Sequence, residues 1–183
     1  MKILVIGGVA AGTKTAAKLK REDRAAEVTV LAKDKDISYA GCGLPYYVGG
    51  VIADKASLIV NTPAKFSALT GAKVLTGKEA VALDRAAKTV TAADVETGEQ
   101  AVYEYDKLVV AVGASPIVPK LPGAGLKNVF VMRKPEDAIA LRELLDTGAV
   151  KRAVVCGAGF IGLEVAENLA AKGVKVSVID MAE

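Results

Sequence analysis

The sequence predicts an α/β protein of two βαβ units, the first interrupted by an antiparallel β excursion and the second cut short. Three observations predict it. A continuous apolar strand, Ile3 to Ile6, runs into the glycine turn Gly7-Gly8-Val9-Ala10-Ala11-Gly12. The order strand, glycine turn, helix, strand recurs over residues 152–179, around Gly157-Ala158-Gly159-Phe160-Ile161-Gly162. Between them, residues 73–105 break into short β-type stretches separated by turn residues.

The elements follow in order. Ile3 to Ile6 reads as a buried parallel strand, because an unbroken apolar run suits a sheet covered on both faces. Ala10 to Arg21 is an alanine-rich helix, and Val28 to Leu31 is the next strand. Together they have the length of a βαβ unit. Residues 33–62 read as loop and short helix. Thr62-Pro63 opens a helix, with threonine as N-cap and proline in the first turn, and Thr70-Gly71 closes it. Val74-Leu75, 79–83, 89–92 and 101–105 form the expected antiparallel excursion. Leu108 to Val112 returns to a buried strand. Pro116, Pro119 and Pro122 stiffen an extended connector. Pro135 to Leu145 is a helix, and the second βαβ starts at Lys151.

Composition narrows the classes. The chain has 183 residues, just over half of them apolar, which suits a folded globule and not disorder. A net charge of +3 argues for neither nucleic acid nor a membrane surface. Histidine is absent, which removes the usual general base and the commonest metal ligand. Two distant cysteines give neither a zinc spacing nor a disulfide framework, so no metal is expected and a cytoplasmic setting is. No targeting segment is visible, and the apolar runs are strand-length.

Glycine at the first position of such a turn permits a tight reversal, and the last glycine lets helix and strand pack closely. The helix N-terminus then faces a pyrophosphate. In the first turn Val9 takes the middle glycine position, and Ala32 takes the place of a ribose-binding acid, followed by Lys33. The second turn holds all three glycines, and Asp180 ends the next strand. A carboxylate there suits a ribose diol and repels a 2′-phosphate; no arginine follows it, which favours NAD over NADP. Cys156 reads as a small buried residue of a strand.

Cys42 lies between glycines in Ser38-Tyr39-Ala40-Gly41-Cys42-Gly43-Leu44-Pro45-Tyr46-Tyr47, just before an expected short helix. Flanking glycines admit a bulky neighbour, and a helix start favours thiolate. The residues point to redox chemistry on one sulfur. Lys14, Lys18 and Arg21 share one face of the first helix. Spacing alone makes that face merely solvated; beside a reactive thiol it would suit a polyphosphate-bearing thiol.

These segments, with 105–116 and 157–164, resemble the FAD-dependent pyridine nucleotide-disulfide oxidoreductases. The Ser-x-x-x-Cys-Gly-x-Pro-Tyr pattern resembles the single-cysteine branch, which holds coenzyme A-disulfide reductases and NADH oxidases and peroxidases. In two-cysteine relatives a second cysteine follows five positions on; here that position is Tyr47. The resemblance implies two Rossmann-like units: an FAD-binding domain over 1–148 and the start of an NAD-binding domain over 149–183. It implies that Gly7 to Gly12, Ala32, Lys33, Val81, Ala111-Val112-Gly113 and Arg133 serve FAD. It implies that Gly157, Gly159, Phe160, Ile161, Gly162, Glu164 and Asp180 serve NADH.

By the same resemblance, Lys14, Lys18, Arg21 and Ser38 line a coenzyme A site, and Cys42 passes electrons from NADH and FAD to a small disulfide such as coenzyme A disulfide. Family members are well over twice this length, so the chain is expected to be the front part of an enzyme, homodimeric when whole. Two alternatives stay open: an NADH oxidase or peroxidase working through a Cys42 sulfenate, and a nucleotide-binding fragment without turnover.

Overall fold

The computed structural model describes residues 1–181. The chain packs as two compact units, one formed by 1–39 and 59–114, the other by 40–58 and the chain from Ser115 onward. This packing division does not follow the cofactor division expected at 148/149.

In the first unit, β1 (Lys2–Ile6), α1 (Ala10–Glu22) and β2 (Glu27–Leu31) form the first βαβ. After α3 (Pro63–Thr70) comes β3 (Lys73–Leu75). The sheet order is β3-β2-β1-β7, with β7 spanning Lys107–Val110, and every pairing is parallel. Val5 and Val30, on the two inner strands, are fully buried. On one sheet face Ile3, Val5, Val28 and Val30 pack with Ala16 of α1 and Phe66 of α3. On the other, Leu4 and Leu31 pack with Val90 and Ala92 of the excursion. Thr62 caps α3 as expected: its hydroxyl accepts from the Lys65 N–H at 3.2 Å, and Gly71 ends the helix at φ +76°.

The excursion is the antiparallel meander β4 (Lys78–Asp84), β5 (Thr89–Asp94) and β6 (Gln100–Glu104). Its turn is tied by one carboxylate. Asp94 Oδ2 accepts from Lys78 Nζ at 2.7 Å, and Oδ1 accepts from the Glu96 and Thr97 N–H groups, each at 3.0 Å.

The second unit holds the thiol segment. A 3₁₀ turn (Gly41–Gly43) leads into α2 (Leu44–Gly49). With these pack α4 (Pro135–Asp146), β8 (Arg152–Cys156), α5 (Phe160–Ala171) and β9 (Lys175–Ile179). Leu44, Tyr47 and Val48 of α2 share one core with Ala138 and Leu145 of α4 and Val165 and Leu169 of α5. Residues 116–122 form an exposed connector without regular structure, as the prolines require. Among the described residues no helix is long and apolar enough to cross a membrane.

Three expectations are corrected. Val74-Leu75 belongs to the parallel sheet, as β3, and not to the excursion. Short alternating strands look alike whichever sheet they join, and the helix before β3 supplies the crossover a parallel partner needs. The strand after the excursion is an edge strand and only half-buried, with Val110 62% exposed. Cys156 is exposed. In β8 side chains alternate, so Ala153 and Val155 face the core while Val154 and Cys156 fall on the face that the described residues leave open.

The Asp94 ties set a pH prediction. The Lys78 ammonium, then the Thr97 and Glu96 N–H groups, hold the Asp94 carboxyl well below its ordinary value of 3.8. A depressed folded-state pKa gives stability that is present above the unfolded pKa and lost as pH falls. Asp94→Asn should therefore melt lower than wild type at neutral pH. The gap should narrow only below about pH 4. Thermal melts across pH check this; a gap constant down to strong acid would contradict it.

Candidate functional site

The two glycine turns are copies of one geometry. Gly7 has φ +112° and Gly157 φ +105°, a region in which only glycine is unstrained. Gly7 N–H donates to Leu31 O and Gly157 N–H to Ile179 O, both at 2.8 Å. A Cβ on Gly12 would lie 1.8 Å from Gly7 O; one on Gly162 would lie 2.0 Å from Gly157 O. In each turn helix and strand therefore touch backbone to backbone. Gly159 differs: a Cβ there would meet open space, so no contact among the described residues demands this glycine. Among the described residues, neither α1 nor α5 has a side-chain cap or an acidic residue in its first turn. Uncapped N–H donors beside a tight glycine turn fit the pyrophosphate of a dinucleotide.

The matching bonds fix the register of the next residue. Ala32 in the first unit stands where Asp180 stands in the second. Asp180 Oδ2 accepts from Ala158 N–H at 2.6 Å, so the carboxylate is aimed at its own turn. Ala32 is buried, and its N–H and C=O bond Leu75 O and Lys78 N–H. It offers a ribose no polar side chain. Lys33 beside it pairs with Glu79 at 2.7 Å. The absence of an arginine after Asp180 is a matter of 181–183, the last two outside the described residues.

Ala111-Val112-Gly113 does meet the first turn. Ala111 N–H donates to Ile6 O, and a Cβ on Gly7 would lie 2.1 Å from Ala111 O. Val81 sits where the β4–β5 register slips between Ala80 and Ala82. Such a bulge frees a residue's backbone from the ladder. Ser38 is held at φ +50°, unusual for a residue with a Cβ, by bonds from its N–H to Gly8 O and from Val60 N–H to its C=O. Lys14, Lys18 and Arg21 are all exposed on one face of α1, with Lys18 paired to Glu22.

In the second unit, Cys42 is exposed on the 3₁₀ turn, and a Cβ on Gly41 would meet open space. Phe160 is 90% exposed and Ile161 is exposed, both at the start of α5; Glu164 follows one turn later, half-buried. Arg133 precedes α4, its N–H donating to Asp137 Oδ2 at 2.9 Å. Cys42 and the second glycine turn thus share one packed unit, whereas the first turn belongs to the other.

The sequence reading missed the residues that hold the thiol segment. Gly49 lies against Asn168 of α5: a Cβ on Gly49 would be 1.9 Å from Asn168 Oδ1. Arg142 of α4 donates to Tyr47 O and Ile52 O, each at 2.9 Å. The Gly49-Gly50 doublet was the only local signal, since it marks where α2 stops.

The open space at Gly159 separates folding from binding. Gly162→Ala should destabilise the chain by roughly 1–3 kcal/mol, because the methyl meets backbone. Gly159→Ala should cost under about 0.5 kcal/mol. On the expectation that this turn receives an NADH pyrophosphate, it should nonetheless weaken NADH binding about tenfold, by blocking close approach. Melting curves with NADH titrations check both; unaltered NADH affinity in Gly159→Ala would oppose this placement.

The family profile described as pyridine nucleotide-disulphide oxidoreductase matches residues 1–183. A coenzyme A disulfide reductase of Staphylococcus haemolyticus is 36% identical over 182 residues, covering all of this chain and 41% of that protein. The solved NAD-dependent persulfide reductase from A. fulgidus is 39% identical with a TM-score of 0.94, covering 100% of this chain and 34% of its own. The water-forming NADH oxidase from Lactobacillus brevis, bound to NADH, is 38% identical with a TM-score of 0.90, covering 98% of this chain and 39% of its own. The chain therefore spans about two-fifths or less of the length of these relatives. It belongs to the pyridine nucleotide-disulphide oxidoreductase family.

Proposed function

We propose that this chain supplies the N-terminal part of an NADH-dependent flavoenzyme that reduces a small disulfide through Cys42, with coenzyme A disulfide as the favoured class of substrate. The observation that carries this is the sharing of one packed unit by an exposed thiol and the second glycine turn. In this reading residues 1–148 contribute to the flavin site and 149–183 begin the nicotinamide site. FAD, when bound, would relay two electrons between nicotinamide and sulfur.

The roles of the chain's own residues follow from their chemistry. Gly7 to Gly12 and the uncapped start of α1 would hold the FAD pyrophosphate, with Ala111-Val112-Gly113, bonded to the end of β1, beside it. Val81, Lys33 and Arg133 are further flavin contacts in this reading. Gly157 to Gly162 would hold the NADH pyrophosphate, with Phe160, Ile161 and Glu164 toward the nicotinamide. Asp180 would accept from the adenosine ribose diol and repel a 2′-phosphate, so NADH is preferred over NADPH.

The Cys42 thiolate attacks one sulfur of the disulfide. The S–S bond breaks, one thiol leaves with a proton, and a mixed disulfide remains. Two electrons from NADH then break that bond and release the second thiol. Lys14, Lys18, Arg21 and Ser38 offer charge-assisted contacts to substrate phosphates. In the whole enzyme we propose a cytoplasmic homodimer. The likeness to an NADH oxidase favours a second reading, in which oxygen or peroxide is reduced through a Cys42 sulfenate.

Two substitutions test the proposal in the enzyme completed with its C-terminal region. Cys42→Ser should lower disulfide reduction by roughly 10³-fold or more, while NADH oxidation by a neutral electron acceptor continues. Disulfide turnover at wild-type rate would overturn the assignment. Asp180→Ala should reduce the preference for NADH over NADPH about tenfold, as expected for one lost charge-assisted bond. The ratio of kcat/KM values reports it; a wild-type enzyme that prefers NADPH, with the ratio unmoved by the substitution, would remove Asp180 from cofactor selection.

A further inference from the structure

Helix α2 has only six residues, too few to persist without tertiary support. It ends at Gly50, which has φ +88° and donates to Tyr47 O at 3.1 Å. The Arg142 side chain closes over that end. It is mostly buried, at 18% exposed. Its Nη1 donates both to Tyr47 O, the same carbonyl, and to Ile52 O beyond the turn. The guanidinium lies 4.7 Å from the centroid of the Tyr47 ring, within cation–π range. Its Nε faces Asp146 Oδ2 at 3.6 Å, one turn further along α4. One planar side chain thus grips a helix end and the residue that follows it. A guanidinium suits this because it spreads several donors in a rigid fork.

The grip reaches toward the thiol by two routes. Along α2, the helix connects Tyr47 to Leu44 and so to the 3₁₀ turn containing Cys42. Through space, Ile52 Cδ1 lies 3.0 Å from where a Cβ of Gly43 would be, so the Ile52 side chain backs the residue next to Cys42. On the other side a Cβ on Gly41 would meet open space, and the turn is tied by Gly43 N–H to Ala40 O at 2.9 Å and, just before it, by Ala40 N–H to Leu58 O at 2.8 Å.

We propose that Arg142 is a positioning residue for the Cys42 thiol, holding α2 and Ile52 so that the Gly41–Gly43 turn keeps one conformation. The proposal rests on the reading of Cys42 as the reactive sulfur. It adds a residue from a different element, 95 positions away from its carbonyl partner, to the machinery that presents that sulfur.

The test uses this chain with Arg142→Met, which keeps an apolar stem against Tyr47 but loses every donor, and with Arg142→Lys, which restores charge and donors. Amide hydrogen exchange is followed at Gly43, Gly50 and Ile52, and alkylation is followed by mass spectrometry at Cys42 and Cys156. In the methionine variant, exchange at all three amides should accelerate at least about fivefold. Cys42 should label at least about threefold faster, with Cys156 unchanged. The lysine variant should recover at least half of each change. Faster exchange confined to Gly50 and Ile52, with Gly43 and Cys42 as in wild type, would overturn the proposal and leave Arg142 as a local clamp. If the methionine variant does not fold, Arg142→Gln is read by the same two outcomes. None of these readouts uses flavin, NADH or turnover, so their failure is distinct from failure of the disulfide-reductase reading.

Discussion

Everything in the two glycine turns depends on one backbone contact, a helix α-carbon pressed against the carbonyl at the end of a strand. Gly12 meets Gly7 O, and Gly162 meets Gly157 O, at separations that exclude any Cβ. The contact fixes where each helix begins relative to its sheet. It also leaves the first N–H groups of α1 and α5 without a side-chain cap. Those orphan donors are what a phosphate can satisfy. A steric requirement of packing therefore leaves donors of the kind a phosphate suits.

The two turns also differ at matching positions. The residue that follows β2 is a buried alanine bonded at both backbone groups, whereas its equivalent after β9 is an exposed aspartate bonded to its own turn. The second turn retains an open middle glycine, whereas Val9 fills that place in the first. One geometry thus carries two chemistries. The second carries a carboxylate aimed at its own turn, and the first offers only backbone donors and close packing.

Much of this was legible in the sequence, because glycine spacing and continuous apolar runs are direct statements about sterics and burial. The N-cap at Thr62 was legible for the same reason: capping is local. What failed was set by partners distant in sequence. The parallel pairing of β3 depends on the sheet it joins, and its three residues say nothing of direction. Cys156 was expected to be buried, but exposure on a strand depends on what covers that face. Arg142 and Asn168 gave no signal at all. An arginine and an asparagine in amphipathic helices look solvated until the carbonyls and the glycine they meet are in view.

We propose that the two copies of one turn hold two different nucleotides; the second copy shares a packed unit with the thiol segment. Backbone amide shifts of the labelled chain, titrated separately with FAD and NADH, test it most directly. The account predicts that FAD perturbs 7–12 and 111–113. NADH should perturb 157–162 and, through the packing of α5 on α2, residues 42–50. Perturbation of the same residues by both ligands, or a response to NADH that leaves 157–162 unmoved, would contradict it.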